Sequence, residues 1–170
     1  MAYSLLPFAQ RRQLHARVAE WHEQRHADNL APHYPLLAHH WSRADVADRA
    51  LFYLEKAGEQ VVSRHANEEV TRFYSEAIAI DQRFENRLQA ERSIRVGRGR
   101  LVSARNAQRV RWHRRLGEAL TNLGKWDEGR KHFEDALSLV GRPLPARQGL
   151  GPLDWECSVR SNARNASAPG

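Results

Sequence analysis

Two histidines separated by three residues form the first group in the chain that could do chemistry. His22, Glu23 and His26 match the pattern H-E-x-x-H on a stretch with helical character. In zinc proteases, the two histidines of this motif share one helix face and bind the metal, while the glutamate acts as general base. A third ligand is also needed, and the candidates that follow along the chain are His33, His39 and His40.

This motif is weak support for an enzyme. The chain contains 9 histidines among 170 residues, so a chance match is easily obtained. Pro32 and Pro35 disfavour the backbone geometry that would bring a later histidine to the pair. We therefore interpret the stretch as a helix whose Trp21 packs inward and whose histidines line a polar face. The prediction is no catalytic residue, no metal and no cofactor, with protease chemistry and adventitious metal binding as alternatives.

Two other groups have reactive side chains. His39 and His40 precede Trp41, and we expect the tryptophan in the core, with one histidine bridging to a neighbouring helix. Cys157 has no histidine motif beside it, so we do not expect a catalytic nucleophile. A single cysteine also excludes a disulfide within the chain and fits a reducing compartment.

Arginine dominates the charge of the chain, which has a formal net charge of +7. The segment from Arg92 to Arg115 contains nine arginines and no acidic residue. Such a segment attracts nucleic acid, but stacking aromatic side chains are missing apart from Trp112. Gly97 and Gly99 each cost a helix about 1 kcal/mol relative to alanine. We therefore predict a flexible, solvated basic connection over residues 82–109, with one helical turn or more before Gly97 as an open alternative. Nucleic-acid binding is the alternative function.

Hydrophobic periodicity predicts helices along most of the chain. Apolar side chains recur at the i, i+3, i+4 and i+7 spacing of one helix face, and no strand pattern competes. The clearest pattern is a helical hairpin from Arg111 to Gly141, with its turn at Gly124 and Lys125. Trp126 opens the apolar stripe of its second helix, and Gly117 and Gly129 lie at facing levels where two backbones can approach closely.

An earlier pair of helices repeats this hairpin at an offset of 59 residues. Gly58 aligns with Gly117, and Tyr74 aligns with Phe133. A repeated helical hairpin is what a solenoid requires, because one hairpin cannot bury its apolar face alone. The predicted repeat positions are Gly58, Tyr74, Ala77, Leu116, Gly117, Leu120, Gly124, Phe133 and Ala136.

These positions resemble a tetratricopeptide repeat. The segments LPFAQRRQLHARVAEWHE, LLAHHWSRA, ALFYLEKAGEQ and ANEEVTRFYSEA are similar to the tetratricopeptide-like helical region of large bacterial signalling proteins. Those proteins join a class III cyclase or another effector to an AAA/STAND-type ATPase. The resemblance covers about residues 4–146 and implies a regulatory or partner-binding part. It also implies a fragment that lacks the cyclase and ATPase domains, since the P-loop pattern GxxxxGK[ST] is missing.

We predict an all-α fold, a short solenoid of tetratricopeptide-like hairpins with a disordered C-terminal tail. The expected organisation is a lead-in over 1–9, two helix pairs over 10–81, the basic connection over 82–109, a hairpin over 110–146 and the tail over 147–170. The chain has no long apolar span and no signal peptide, so we expect a cytoplasmic location without membrane contact.

The predicted function is a non-catalytic protein–protein interaction or regulatory module. The first helix of each hairpin should line its concave surface. We expect a protein or peptide partner, and the resemblance implies an upstream ATPase or cyclase domain. Self-association is a further expectation, because three hairpins are few for a solenoid. The candidate partner-binding residues are Arg49, Tyr53, Lys56, Gln60, Arg114, Arg115 and Glu118.

Overall fold

The structure is a computed structural model that describes residues 7–92 and 100–142, with side chains described over 7–89 and 105–142. The described residues form six α-helices and no strand, which confirms the all-α prediction. The helices are α1 (Phe8–Arg25), α2 (Tyr34–Ala44), α3 (Ala47–Val62), α4 (Asn67–Arg92), α5 (Arg100–Asn122) and α6 (Trp126–Leu139), and a single 3-10 turn (Ala31–His33) leads into α2. None of these helices is long and apolar enough to cross a membrane.

Four of the helices end in the same way, on a residue with left-handed backbone geometry. These residues are Asp45 (φ 59°), His65 (φ 57°), Gly124 (φ 77°) and Gly141 (φ 74°). After each one, the next backbone N–H donates to a carbonyl five residues earlier, as Lys125 does to Leu120 at 2.9 Å. This hydrogen bond satisfies a carbonyl that the helix end leaves free. At Asp45, His65 and Gly124, the chain therefore reverses direction within very few residues.

Each helix packs against the next helix along the chain, from α1 to α6. Side chains also join helices that are two apart. Glu23 of α1 accepts a hydrogen bond from Arg49 of α3, with Nη1 and Oε2 separated by 2.6 Å. Glu55 of α3 accepts one from Arg111 of α5 at 3.1 Å. The odd-numbered helices α1, α3 and α5 therefore form one layer.

The two hairpins predicted from the offset of 59 residues make the same internal contact. A Cβ added to Gly58 would lie 2.8 Å from the Tyr74 ring, and one added to Gly117 would lie 2.9 Å from the Phe133 ring. Gly117 also faces Gly129, whose carbonyl oxygen would be 3.1 Å from the added atom. In both hairpins, a glycine therefore makes room for an aromatic ring from the partner helix.

The core is continuous from α1 to α5, and Tyr74, Ala77, Leu116 and Leu120 of the predicted repeat positions belong to it. Tyr74, Ala77, Leu116, Leu120 and Ala136 are buried, as are Gly58 and Gly117; Phe133 is half-buried, and Gly124 forms the exposed turn. Trp41 is buried, as predicted.

Two tryptophans do not lie where the periodicity placed them. Trp21 is 57% exposed and Trp126 is 68% exposed, so the inward positions predicted for both are wrong. Trp21 is two positions from buried Ala19, about 200° around α1, so it lies on the opposite face. Trp126 is the first residue of α6. Periodicity within one helix does not show which of its faces a neighbouring helix covers.

The predicted flexible connection over residues 82–109 is wrong for residues 100–109, which begin α5. Residues 82–92 continue α4, in agreement with the alternative of helical structure before Gly97. The reason for the error is charge pairing between the two helices. Asp81 of α4 is buried and forms ion pairs with Arg105 and Arg109 of α5, and Arg109 also binds Glu85 at 2.6 Å. Residues 93–99 and the predicted tail at 147–170 lie outside the described residues.

Candidate functional site

Five of the seven predicted partner-binding residues lie on the surface. Arg49 and Lys56 on α3, and Arg114, Arg115 and Glu118 on α5, each keep at least 39% of the side chain exposed. Their charges are paired locally, since Lys56 contacts Glu59, and both arginines of α5 contact Glu118. The structure therefore groups these residues on two neighbouring helices of one layer.

Tyr53 and Gln60 serve the fold rather than the surface. Tyr53 is only 6% exposed, so its predicted exposure is wrong, and its hydroxyl donates to Oε1 of Glu23 at 2.8 Å. Burial and this hydrogen bond to a carboxylate raise the pKa of the Tyr53 phenol. The Gln60 amide donates to the Ala31 carbonyl at 2.9 Å. The exposed aromatic side chain on α3 is instead Phe52, 51% exposed, which the sequence reasoning missed by one position.

The H-E-x-x-H histidines come together with a third histidine. His22, His26 and His33, which we name the α1–α2 histidine cluster, have one nitrogen each within 4.8 Å of the others. The expectation that the prolines would keep a later histidine away is wrong. Pro32 lies in the short 3-10 turn and Pro35 in the first turn of α2, where a missing N–H is tolerated.

Glu23 does not act with these histidines. Its Oε1 accepts hydrogen bonds from Trp41 Nε1 at 2.9 Å and from Tyr53, and its Oε2 accepts one from Arg49. The Glu23 carboxylate thus connects α1 to both α2 and α3 through these hydrogen bonds. A general base must reach the proton that it removes, and this carboxylate is already engaged by three donors. The contacts of Glu23 therefore do not support the zinc-protease alternative.

The rings of the α1–α2 histidine cluster are stacked. The His26 and His33 rings have centroids 3.9 Å apart and an interplanar angle of 21°, and His22 and His26 are inclined by 19°. An imidazole binds a metal through a lone pair in its ring plane, so near-parallel stacked rings direct their lone pairs past one another. This arrangement is unsuited to one shared ion.

Further histidines extend the contact between α1 and α2. His15 Nδ1 lies 2.8 Å from His40 Nδ1, which agrees with the prediction that one histidine bridges to a neighbouring helix. Burial, together with the nearby His15, His39 and His22, lowers the pKa of His40 to about 4. The His40 imidazole therefore packs as a neutral group at neutral pH.

A second group of ligand-type side chains joins α5 to α6. His113, His132 and Asp135, which we name the α5–α6 histidine cluster, each direct one donor atom toward the others. His113 Nδ1 lies 3.1 Å from His132 Nδ1 and 3.6 Å from Asp135 Oδ2, and the distance from His132 Nδ1 to that oxygen is 3.8 Å. The two rings are tilted by 47° and converge at their Nδ1 atoms. Burial lowers the pKa of both histidines, and Asp135 partly opposes that effect.

A cavity of about 440 Å³ opens beside this cluster, between α4, α5 and α6. Its lining combines charged and apolar side chains: Ile78, Asp81, Gln82, Glu85, Asn86, Arg109, His113, Asp135, Ser138 and Leu139. The ion pairs of Arg109 with Asp81 and Glu85 form one wall, and His113 and Asp135 form part of another.

Sequence reasoning missed this cluster. It placed His113 on a packing stripe and gave no role to His132 or Asp135. The spacing H-x-x-D puts the last two on one face of α6. The facing levels of Gly117 and Gly129 set the register of the hairpin, which brings His113 opposite that face. Both signals are present in the sequence, but only their combination indicates a site.

Comparison of the chain with protein-family models, with curated proteins and with solved structures finds no match in any of the three. Its function must therefore be inferred from the contacts, charges and exposure of its own side chains.

Proposed function

We propose that this chain is a non-catalytic protein-interaction module, a short tetratricopeptide-like solenoid that binds an acidic segment of a partner protein. The observation that carries the proposal is the layer formed by α1, α3 and α5. The hydrogen bonds of Glu23 to Arg49 and of Glu55 to Arg111 hold these helices side by side. Solenoids bind their ligands on such continuous surfaces, which are made from corresponding helices of successive hairpins.

The outer surface of this layer has a definite chemical character. We name it the odd-helix face and define it by exposed side chains of α3 and α5: Arg49, Phe52, Lys56, Arg111, Arg114 and Arg115. Five of these six side chains are cationic, and the sixth is an exposed phenyl ring. An extended peptide with several carboxylates and one apolar side chain complements this combination.

The internal ion pairs of the odd-helix face do not prevent binding. Lys56 with Glu59 and Arg115 with Glu118 are exposed pairs, which contribute at most about 1 kcal/mol each. Glu118 is shared between Arg114 and Arg115, so one carboxylate balances two guanidinium groups. A partner carboxylate can therefore replace the internal one at little cost.

The resemblance to the helical region of cyclase and STAND-type ATPase proteins supports a specific kind of partner. We propose an acidic segment of such an effector domain, which the module would restrain or release. Nucleic acid is less favoured, because Arg105 and Arg109 of the basic segment are engaged by Asp81 and Glu85 rather than pointing outward. Among the described side chains of this segment, a strand of phosphates would meet the arginines that follow them, Arg111, Arg114 and Arg115.

Charge reversal on the odd-helix face tests this proposal. Acidic peptides with a central phenylalanine are screened on an array, and the strongest binder is labelled and titrated by fluorescence anisotropy. We expect Lys56→Glu combined with Arg114→Glu to weaken binding by about tenfold or more, which is about 1.4 kcal/mol. Binding by the unmodified chain should also weaken as salt rises.

The matched control is Arg72→Glu combined with Arg130→Glu. These two exposed arginines lie on α4 and α6, in the other set of helices. Equal loss in both double variants would show that net charge alone drives association. If no acidic peptide binds even at low salt, the proposed function is wrong.

A further inference from the structure

The α5–α6 histidine cluster has the dimensions of a zinc site. Ligands that lie about 2.0–2.1 Å from Zn²⁺ are separated by about 3.3 Å in a tetrahedron and by about 2.9 Å between neighbours in an octahedron. The donor atoms of His113, His132 and Asp135 form a triangle with edges of 3.1, 3.6 and 3.8 Å. These edges fit the tetrahedral arrangement better than the octahedral one.

We propose that His113, His132 and Asp135 bind one Zn²⁺ ion, which fastens α5 to α6. Two imidazoles and one carboxylate are three of the ligand types that zinc prefers. The positions of the residues also suit a shared ion. His132 and Asp135 are three residues apart on α6, so both reach the same side of that helix. His113 comes from the facing helix, so the ion would be held across the hairpin interface.

The repeat strengthens this assignment. At the offset of 59 residues, His113 corresponds to Leu54 and His132 corresponds to Phe73. Leu54 and Phe73 are both buried members of the core. The α3–α4 hairpin therefore shows that apolar side chains satisfy the packing at these two positions. Packing does not require histidine at either position in the α5–α6 hairpin.

The fourth position of the proposed site has room for a ligand from outside the cluster. His113 and Asp135 both line the cavity of about 440 Å³ between α4, α5 and α6. A water molecule, or a carboxylate brought by a bound molecule, could complete the tetrahedron from that side. Three protein ligands with one open position distinguish this arrangement from a closed structural site.

Metal titration of the untagged full-length chain tests the proposal. The protein is treated with chelator, dialysed and titrated with Co²⁺, whose visible absorption reports tetrahedral coordination; Zn²⁺ is then added in competition. We expect one equivalent of Co²⁺ to bind and Zn²⁺ to displace it. Zn²⁺ should also raise the Tm, because it binds the folded state.

Two variants locate the site. His132→Phe installs the residue that the α3–α4 hairpin has at this position, and Asp135→Asn removes a ligand charge with little change of shape. Each should weaken Zn²⁺ binding by more than about 100-fold, because even the loss of an outer-shell group costs about 10–100-fold. His26→Gln, in the α1–α2 histidine cluster, is the matched control and should bind like the unmodified chain.

Circular dichroism of the metal-free variants checks folding. If His132→Phe does not fold, Asp135→Asn decides the test, because the Asp135 side chain is 45% exposed. The proposal is overturned if the unmodified chain binds neither Co²⁺ nor Zn²⁺. It is equally overturned if Asp135→Asn binds normally, or if His26→Gln is the variant that loses the metal.

Discussion

The α3–α4 and α5–α6 hairpins use one packing scheme for two different environments. In each, a glycine of the first helix receives an aromatic ring of the second, Tyr74 against Gly58 and Phe133 against Gly117. The α3–α4 hairpin has a helix packed on both sides, whereas α6 packs chiefly against α5. Tyr74 is accordingly buried, and Phe133 is only half-buried. Both hairpins therefore share the glycine–aromatic contact. The helices packed around each hairpin decide how deeply its other side chains are buried.

The largest effect is expected where the two hairpins are joined. Asp81→Ala removes the buried carboxylate between Arg105 and Arg109. The two guanidinium groups would keep their charge without this partner, so we expect a loss of about 3 kcal/mol or more in the free energy of unfolding. Urea unfolding followed by circular dichroism measures it.

Glu85→Ala is the matched control for this junction. Glu85 also binds Arg109, but its side chain is 25% exposed. We expect a distinctly smaller loss than for Asp81→Ala, because water can replace an exposed partner. Equal losses would mean that burial does not distinguish the two carboxylates, and that the junction is not held as described.

An intermediate effect is expected at the two glycines. Gly58→Ala and Gly117→Ala each place a methyl group less than 3.0 Å from an aromatic ring. Overpacking of this kind typically costs about 1–3 kcal/mol, partly offset by the higher helix propensity of alanine. Unfolding free energies of both variants give the comparison directly.

Double variants test whether the two hairpins are equivalent. Each combines a glycine substitution with a smaller residue in place of the aromatic ring that faces the glycine. The double variants are Gly58→Ala with Tyr74→Leu, and Gly117→Ala with Phe133→Leu. In each, the alanine should lower the free energy of unfolding by less than it does alone, with a coupling energy of about 1 kcal/mol. Coupling in only one hairpin would contradict the idea that both share one packing scheme.

The effect that is smallest at neutral pH concerns α1 and α2, which lack the glycine–aromatic contact. His40 has a pKa of about 4 in the folded chain, because of burial and the neighbouring histidines, against about 6.5 when unfolded. The unfolded chain therefore takes up the proton first. The contribution of His40 to stability is fully present above pH 6.5 and is lost as the pH decreases toward 4. Tm measured across this range should decrease, and His40→Gln should flatten the decrease.

The sequence predicts the helices and the glycine–aromatic pairs because both depend on local spacing and on the size of side chains. It mistakes residues 100–109 for a loop because the pairing of Asp81 with Arg105 and Arg109 is not local. Tyr53 was placed on the surface for a similar reason, since its burial depends on α1 and on Glu23. These errors arise where a neighbouring helix decides what a single helix pattern leaves open.

The α5–α6 histidine cluster was missed for a different reason. Its three residues can be placed together only after the hairpin register is known, and that register follows from Gly117 and Gly129. The H-E-x-x-H pattern was easier to find, because its residues are close in sequence. Yet its glutamate ties three helices together, and its histidine rings stack. A match to a motif is thus less informative here than the direction of the donor atoms.

The left-handed residues at the helix ends limit how the length of this chain can change. Only Asp45 and Val46 separate α2 from α3, and only Leu123, Gly124 and Lys125 separate α5 from α6. One residue added within an adjoining helix would turn everything beyond it by about 100° and direct the wrong side chains at the core. New termini for a circular permutation, or an inserted tag, therefore belong between α1 and the 3-10 turn. That connection, residues 26–30, is the longest of those that consist of described residues.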